Sequence, residues 1–268
     1  MIDQKGIFAQ IGDKKRIWVI GFPSGDAVRL RFLHKKISTD FSVGDAVVYL
    51  GNLMGSGPDS VKTVDEALLF RRALISIPGV SQYDVIFLRG QQEEMWSKLM
   101  QIQFSQEPLE VYKWMLTRGL RQILQSYEVD PDEGLRIIPQ GVVAISRWVS
   151  ALRAAQAAHD GHIDYMGALK HAAYTADESV LFVHRGLRHE VSLNLQGDAF
   201  WWGGSLPFVR PYPYQQFKRV IRGFPSASQT GVINEPYYTT IASGGGYDGP
   251  VFAILLDETH AVSTVLDA

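Results

Sequence analysis

No cysteine occurs among the 268 residues, which excludes disulfides and thiolate-held metals and points to a reducing compartment. An excess of one charge is missing too. The 26 lysines and arginines face 28 aspartates and glutamates, a net charge of −2, so there is no basic footprint for nucleic acid and no charged block marking an interaction tail. No apolar run reaches the length of a membrane span, and residues 1–16 are polar with no apolar signal core, so a cytoplasmic protein without membrane insertion is expected. No Gly-x-Ser-x-Gly elbow supports a serine hydrolase. The Gly-rich stretch 243–250 lacks the Gly-Lys-Ser/Thr ending of a phosphate-binding loop and reads as a hairpin. Apolar residues are abundant at 46%, enough for one large α/β core or two small ones.

The first ninety residues repeat one grammar: an apolar run, a Gly, a short loop, then a helical stretch. Strands are expected over 15–21, 46–51 and 84–89, their near-continuous apolar character suiting a parallel sheet covered on both faces. Helices are expected over 26–37, with Asp26 as cap and Leu30, Leu33 and Ile37 at helical spacing, and over 61–77. Such βα units imply right-handed crossovers, and the loops leaving the carboxyl ends of the strands are where ligands gather. The middle reads as helices over 93–103, 108–126 and 142–158, punctuated by Pro131, Gly134 and Pro139. Beyond Asp177 the pattern turns to strands, over 179–184, 190–195, 218–223, 237–242, 251–256 and 261–266.

The three loops read Gly21-Phe22-Pro23-Ser24-Gly25, Gly51-Asn52-Leu53-Met54-Gly55-Ser56-Gly57 and Gly90-Gln91-Gln92-Glu93. Further on come Trp114 to Ser126-Tyr127, then Val183-His184-Arg185-Gly186-Leu187, then Arg222-Gly223-Phe224-Pro225, and the Gly-rich stretch from Ser243. In this order and spacing the segments resemble the calcineurin-like metallophosphoesterases of the bacterial serine/threonine phosphatase and diadenosine-tetraphosphatase type. The resemblance runs from about residue 16 to 257. It implies an α/β fold, a sandwich of two mixed β-sheets flanked by helices, with one domain over 1–268 and a helical cap over roughly 93–176.

That family hydrolyses phosphoesters with two metal ions held by carboxylate, amide and imidazole groups. Its first motif, Gly-Asp-x-His-Gly, carries Phe22 and Ser24 here, and the first of these cannot ligate. Its second, Gly-Asp-x-x-Asp-Arg-Gly, has Asn52, Gly55 and Ser56 in place of two carboxylates and the phosphate-binding guanidinium. Its third, Gly-Asn-His-Glu, has Gln91 and Gln92 for the ligand amide and the acid/base imidazole, and Phe224 replaces a later imidazole. Only His184 matches a ligand position. The resemblance therefore implies a scaffold that kept its frame and lost its reaction, with no catalytic residues, no metal and no cofactor. The expected role is a protein-interaction or regulatory subunit with another protein as partner. Two alternatives stand beside it: a weak phosphoesterase or nucleotide hydrolase with an unorthodox site around His184, Asn52, Gln91 and Gln92, or a sensor whose Phe22 and Phe224 stack on a planar ligand.

Two other segments bear on function. His159-Asp160-Gly161-His162-Ile163-Asp164 gathers metal-capable side chains, but follows a helix where Asp-Gly marks a turn. The densest aromatic stretch, with Trp201, Trp202, Phe208, Tyr212 and Tyr214, reads either as a loop packed by its own rings or as a partner surface, since Trp and Tyr dominate interface hot spots.

Overall fold

In chain order a short strand β1 (Phe8–Ile11) precedes β2 (Arg16–Ile20), α1 (Ala27–Ser38), β3 (Asp45–Tyr49), α2 (Ser60–Ile75), β4 (Val85–Phe87) and α3 (Gln91–Leu99). Helices α4 (Pro108–Met115), α5 (Arg121–Ser126), α6 (Glu133–Ile137), α7 (Val142–Ala157) and α8 (His162–Ala168) follow. The chain then forms β5 (Ala172–Thr175), β6 (Val180–Val183), α9 (Ala199–Trp202), β7 (Arg219–Pro225), β8 (Gly231–Asn234), β9 (Tyr238–Ser243), β10 (Phe252–Leu256) and β11 (Val262–Asp267). This computed structural model describes residues 6–203, 212–225, 230–243 and 249–268.

The strands form two mixed sheets. A five-stranded sheet has the order β11-β10-β2-β3-β4, with β2, β3 and β4 parallel and β10 antiparallel to β2. A six-stranded sheet has the order β1-β5-β6-β7-β9-β8. Strand alternation sends successive side chains to opposite faces, and it divides the core accordingly. Ile17, Val19, Val48, Ile86 and Ile254 meet Phe182, Ile221 and Ile241 between the sheets. Trp18, Ile20, Val47, Tyr49 and Phe87 point the other way, beneath the helices. Every residue of β3 is buried, as expected for a central strand covered on both faces.

Local signals account for the early helices. The Asp26 carboxylate accepts from the Arg29 N–H at 3.0 Å and Asp59 accepts from the Lys62 N–H at 2.9 Å, satisfying first-turn amides of α1 and α2. Two expectations need correction. The stretch 108–126 is not one helix, because its backbone leaves helical geometry at Arg118 and Gly119 (φ 105°) between α4 and α5. The expected strand at 190–195 is absent. That loop is held by the Gln196 amide, which donates to the Arg188 and Val191 carbonyls at 2.8 and 2.7 Å and so takes the place of a ladder. Among the described residues, no helix is long and apolar enough to cross a membrane.

Candidate functional site

The loops leaving β2, β3 and β4 meet at one end of the five-stranded sheet, where they are tied to one another by backbone. Ser24 N–H donates to the Asn52 carbonyl (2.7 Å) and Gly25 N–H to Leu53 (2.8 Å), while Gly57 and Asp59 N–H donate back to Ser24 and Gly25 (2.7 and 2.9 Å). This zipper holds Ser24 and Asn52 in the left-handed region, at φ 52° and 53°, a conformation side chains adopt at a cost. The approach is so close that a Cβ on Gly55 would lie 2.8 Å from the Ser24 backbone, and one on Gly57 2.6 Å from the Ser24 oxygen. The position at which the resemblance expects an orienting carboxylate thus has no room for any side chain.

Glu93, in the first turn of α3, fastens the second loop to the third. Its Oε2 accepts from Asn52 N–H and Gly90 N–H, both at 2.9 Å, and its Oε1 accepts from Met54 N–H at 3.1 Å and the Tyr165 hydroxyl at 3.2 Å. The carboxyl is fully buried, and that burial raises its pKa above the usual range against the opposing pull of these hydrogen bonds. The Asn52 amide oxygen accepts from Gln92 N–H at 3.0 Å, and the Gln92 side chain donates to the Arg118 carbonyl at 2.8 Å. Gln92 therefore anchors the break between α4 and α5.

His184 arrives from the end of β6 in the other sheet and is wholly buried. Its Nε2 accepts from Gln91 N–H at 3.0 Å, which leaves Nδ1 protonated and donating to the Leu50 carbonyl at 2.7 Å. Both ring nitrogens are thereby committed to backbone groups in the neutral tautomer. Burial pulls the ring down to about 3. Phe22 stacks on it, centroids 4.3 Å apart and planes 19° from parallel. On its other side Phe22 needs Gly223, where a Cβ would overlap its ring. Phe22 is fully buried, so it offers no open face to a planar ligand; the stacking role expected of it is taken by His184. Phe224 is half-buried beneath the Arg185 guanidinium, 5.3 Å from the ring centroid. Ser56 lies apart, on the wall of a polar cleft of about 710 Å³ shared with Arg29, Asp59 and Ser126.

The fold thus brings Phe22, Ser24, Asn52, Gly55, Gln91, Gln92 and His184 together, and it joins them with bonds among themselves. Among the described residues, no three His, Asp or Glu side chains gather where they could hold a metal ion. The 159–164 segment is likewise engaged in structure. His162 is buried, bridging Asp65 (3.0 Å) and the Tyr127 hydroxyl (2.7 Å), and Asp160 pairs with Arg72 at 3.3 Å. Of the aromatic stretch, Trp201 and Tyr214 are buried, the indole donating to the Arg89 carbonyl (2.9 Å) and the phenol to Val191 (2.7 Å). They belong to the core and are subtracted from any partner surface. Trp202 is half-buried against Trp114, Tyr212 is 45% exposed, and Phe208 lies outside the described residues. Glu93 is the residue that motif reading passed over. Its signal was an acid three residues past Gly90 at a helix start, placed to reach back to loop amides.

No family model and no curated protein matches the sequence. Solved structures do match. A protein assigned as a diadenosine tetraphosphatase is similar at 15% identity and a TM-score of 0.57, over 97% of this chain and 96% of its own. A serine/threonine phosphatase from Saccharomyces cerevisiae is similar at 14% identity and 0.51, over 99% and 84%. A cold-active protein tyrosine phosphatase from a psychrophilic Shewanella species is similar at 13% identity and 0.52, over 97% and 82%. Identities this low speak for the fold and leave the chemistry to the residues of this chain.

Proposed function

We propose that this chain, which has the calcineurin-like metallophosphoesterase fold, works without catalysis, as a protein-interaction or regulatory subunit. The observation that carries the reading is His184. Its two nitrogens are spent on Leu50 and Gln91 and one face is covered by Phe22, so the one imidazole at an expected ligand position has no lone pair to give. The remaining donors do not fit a two-metal centre either. Asn52 Oδ1 is bonded to Gln92 N–H, Phe22 and Phe224 carry no donor, and Gly55 is bound by steric fit to remain a glycine. Two ions close together need anionic ligands between and around them, and this end of the sheet supplies none to them. The buried carboxylates among the described residues here are already engaged: Glu93 by four donors, Asp26 by Arg29 and Glu94 by Arg89.

Elemental analysis of the purified protein, together with p-nitrophenyl phosphate turnover with and without added manganese, tests the reading. We expect no stoichiometric metal and no turnover in either condition. Two metals per chain with turnover would overturn it and restore the hydrolase alternative.

A further inference from the structure

Away from the loops, a groove of about 680 Å³ runs along the outer edge of β4, closed on its far side by β1 and roofed by α2 and α8. Its lining includes no residue of the three converging loops; Tyr165, whose hydroxyl donates to Glu93, stands between the two places. Its floor is an unfinished sheet edge. Leu88 N–H bonds to Tyr49 of β3, so by strand alternation Val85 and Phe87 turn their backbone groups outward. There the segment before β5 pairs for a single residue: Lys170 N–H donates to the Phe87 carbonyl (2.9 Å), and Arg89 N–H donates to the Lys170 carbonyl (2.7 Å). Below that bridge the N–H and C=O of Val85 and the N–H of Phe87 have no backbone partner among the described residues. An edge in this state is a template for another strand.

Charge selects the occupant. Arg71, Arg72 and Lys170 line the groove with one acid, Asp164, in a chain whose overall net charge is −2; Arg72 is paired with Asp160 at 3.3 Å, which leaves Arg71 and Lys170 as the cations open to a partner. Arg71 and Lys170 have no carboxylate within ion-pair distance among the described residues; Arg71 reaches only the Gln82 carbonyl (3.5 Å) and Lys170 only that of Gly6 (2.6 Å). Leu68, Phe87 and Tyr83, the last 75% exposed, supply apolar contact between the cations. We propose that this groove receives an extended acidic segment of a partner protein, which adds as a strand to β4 with its carboxylates toward the cations on the helix-covered face and its alternate apolar side chains toward Ile86 on the opposite face. The proposal rests on the non-catalytic reading only for its biological role, since the groove is separate from the loops.

The test uses a fluorescein-labelled ten-residue peptide of alternating aspartate and valine. Saturable anisotropy is expected, weakened at least tenfold by Arg71→Glu, with slowed hydrogen exchange at the Phe87 amide. The same peptide N-methylated on alternate nitrogens should fail to bind. Absence of saturation overturns the proposal, as does equal binding of a lysine–valine analogue. Equal binding of the N-methylated peptide, or its displacement by inorganic pyrophosphate, would make the groove an anion site and also overturn strand addition. Metal and turnover in the separate assay would sink the non-catalytic reading and leave this result to stand or fall alone.

Discussion

Two regions of the five-stranded sheet differ in how they treat polar groups. At the loop end, the groups that a metallophosphoesterase fold would turn toward ions and phosphate are bonded to one another: Glu93 to three backbone amides and a phenol, His184 to a carbonyl and an amide. At the β4 edge, backbone groups of Val85 and Phe87 face an open groove with no backbone partner, and Arg71 and Lys170 with no carboxylate in ion-pair distance, among the described residues. Burial makes the first region self-sufficient, because an unpaired buried polar group costs far more than an exposed one. The second can stay unpaired because water serves it until something else does. The contrast teaches that, in this chain, polar groups at the loop end are satisfied by one another and by main chain, while those at the β4 edge are left to solvent.

The largest blow to that contrast is Glu93→Ala. It strands the amides of Asn52, Met54 and Gly90 in a buried site, at about 1–3 kcal/mol each. A loss of roughly 4 kcal/mol or more in denaturant unfolding is expected, and a loss under about 1 kcal/mol would mean the loops hold themselves. Next comes Gly55→Asp, which restores a carboxylate where there is no space. We expect a cost of about 1–3 kcal/mol from overpacking against Ser24 and no metal uptake by isothermal titration.

The acid limb of stability sharpens the comparison more gently. His184 shifts from 6.5 to about 3 on folding, so the unfolded chain binds this proton first as pH falls. The stability it leaves intact above pH 6.5 declines between 6.5 and 3, by at most about 1.4 kcal/mol per pH unit. His34 and His162, also lowered by burial, add the same sign. Glu93 has the opposite sign, since its raised pKa favours the folded state at low pH and that contribution is lost as pH rises above 4.5. In His184→Gln the slope of unfolding free energy between pH 6.5 and 4 should shrink; an unchanged slope would assign the titration to other groups. The smallest effect is expected at the open edge. Arg71→Glu should alter stability by less than about 0.5 kcal/mol in thermal unfolding, because that side chain meets only a carbonyl at 3.5 Å.

The parallel core was legible because its signals are local. Near-continuous apolar runs gave β2, β3 and β4, and Asp26 and Asp59 stand where caps belong. Strands β1, β5 and β8 escaped notice. Short sequences such as Ala-Ala-Tyr-Thr carry little preference of their own and become strands through the partners they find. The break at Gly119 escaped for a similar reason, since Leu116 and Leu120 keep the helical spacing while Gln92 holds the interruption from 26 residues away. At the site, motif order named positions that the fold brings together, Phe22, Asn52, Gln91, Gln92 and His184 among them, while Ser56 lies on a separate cleft. What they do there was hidden, because the partners of His184 and Glu93 are mostly main-chain groups, which no residue pattern announces.

The Glu93 anchor also has a consequence in time. Its donors at Asn52 and Met54 precede it by 41 and 39 residues, and Tyr165 follows by 72. Contacts spanning such loops repay their closure entropy only after the intervening strands and helices have docked, so this node closes late on the folding path. Interactions absent from the transition state govern how fast a native protein opens rather than how fast it forms. On that argument the bonded loop end acts as a brake on unfolding and lengthens the lifetime of the folded chain.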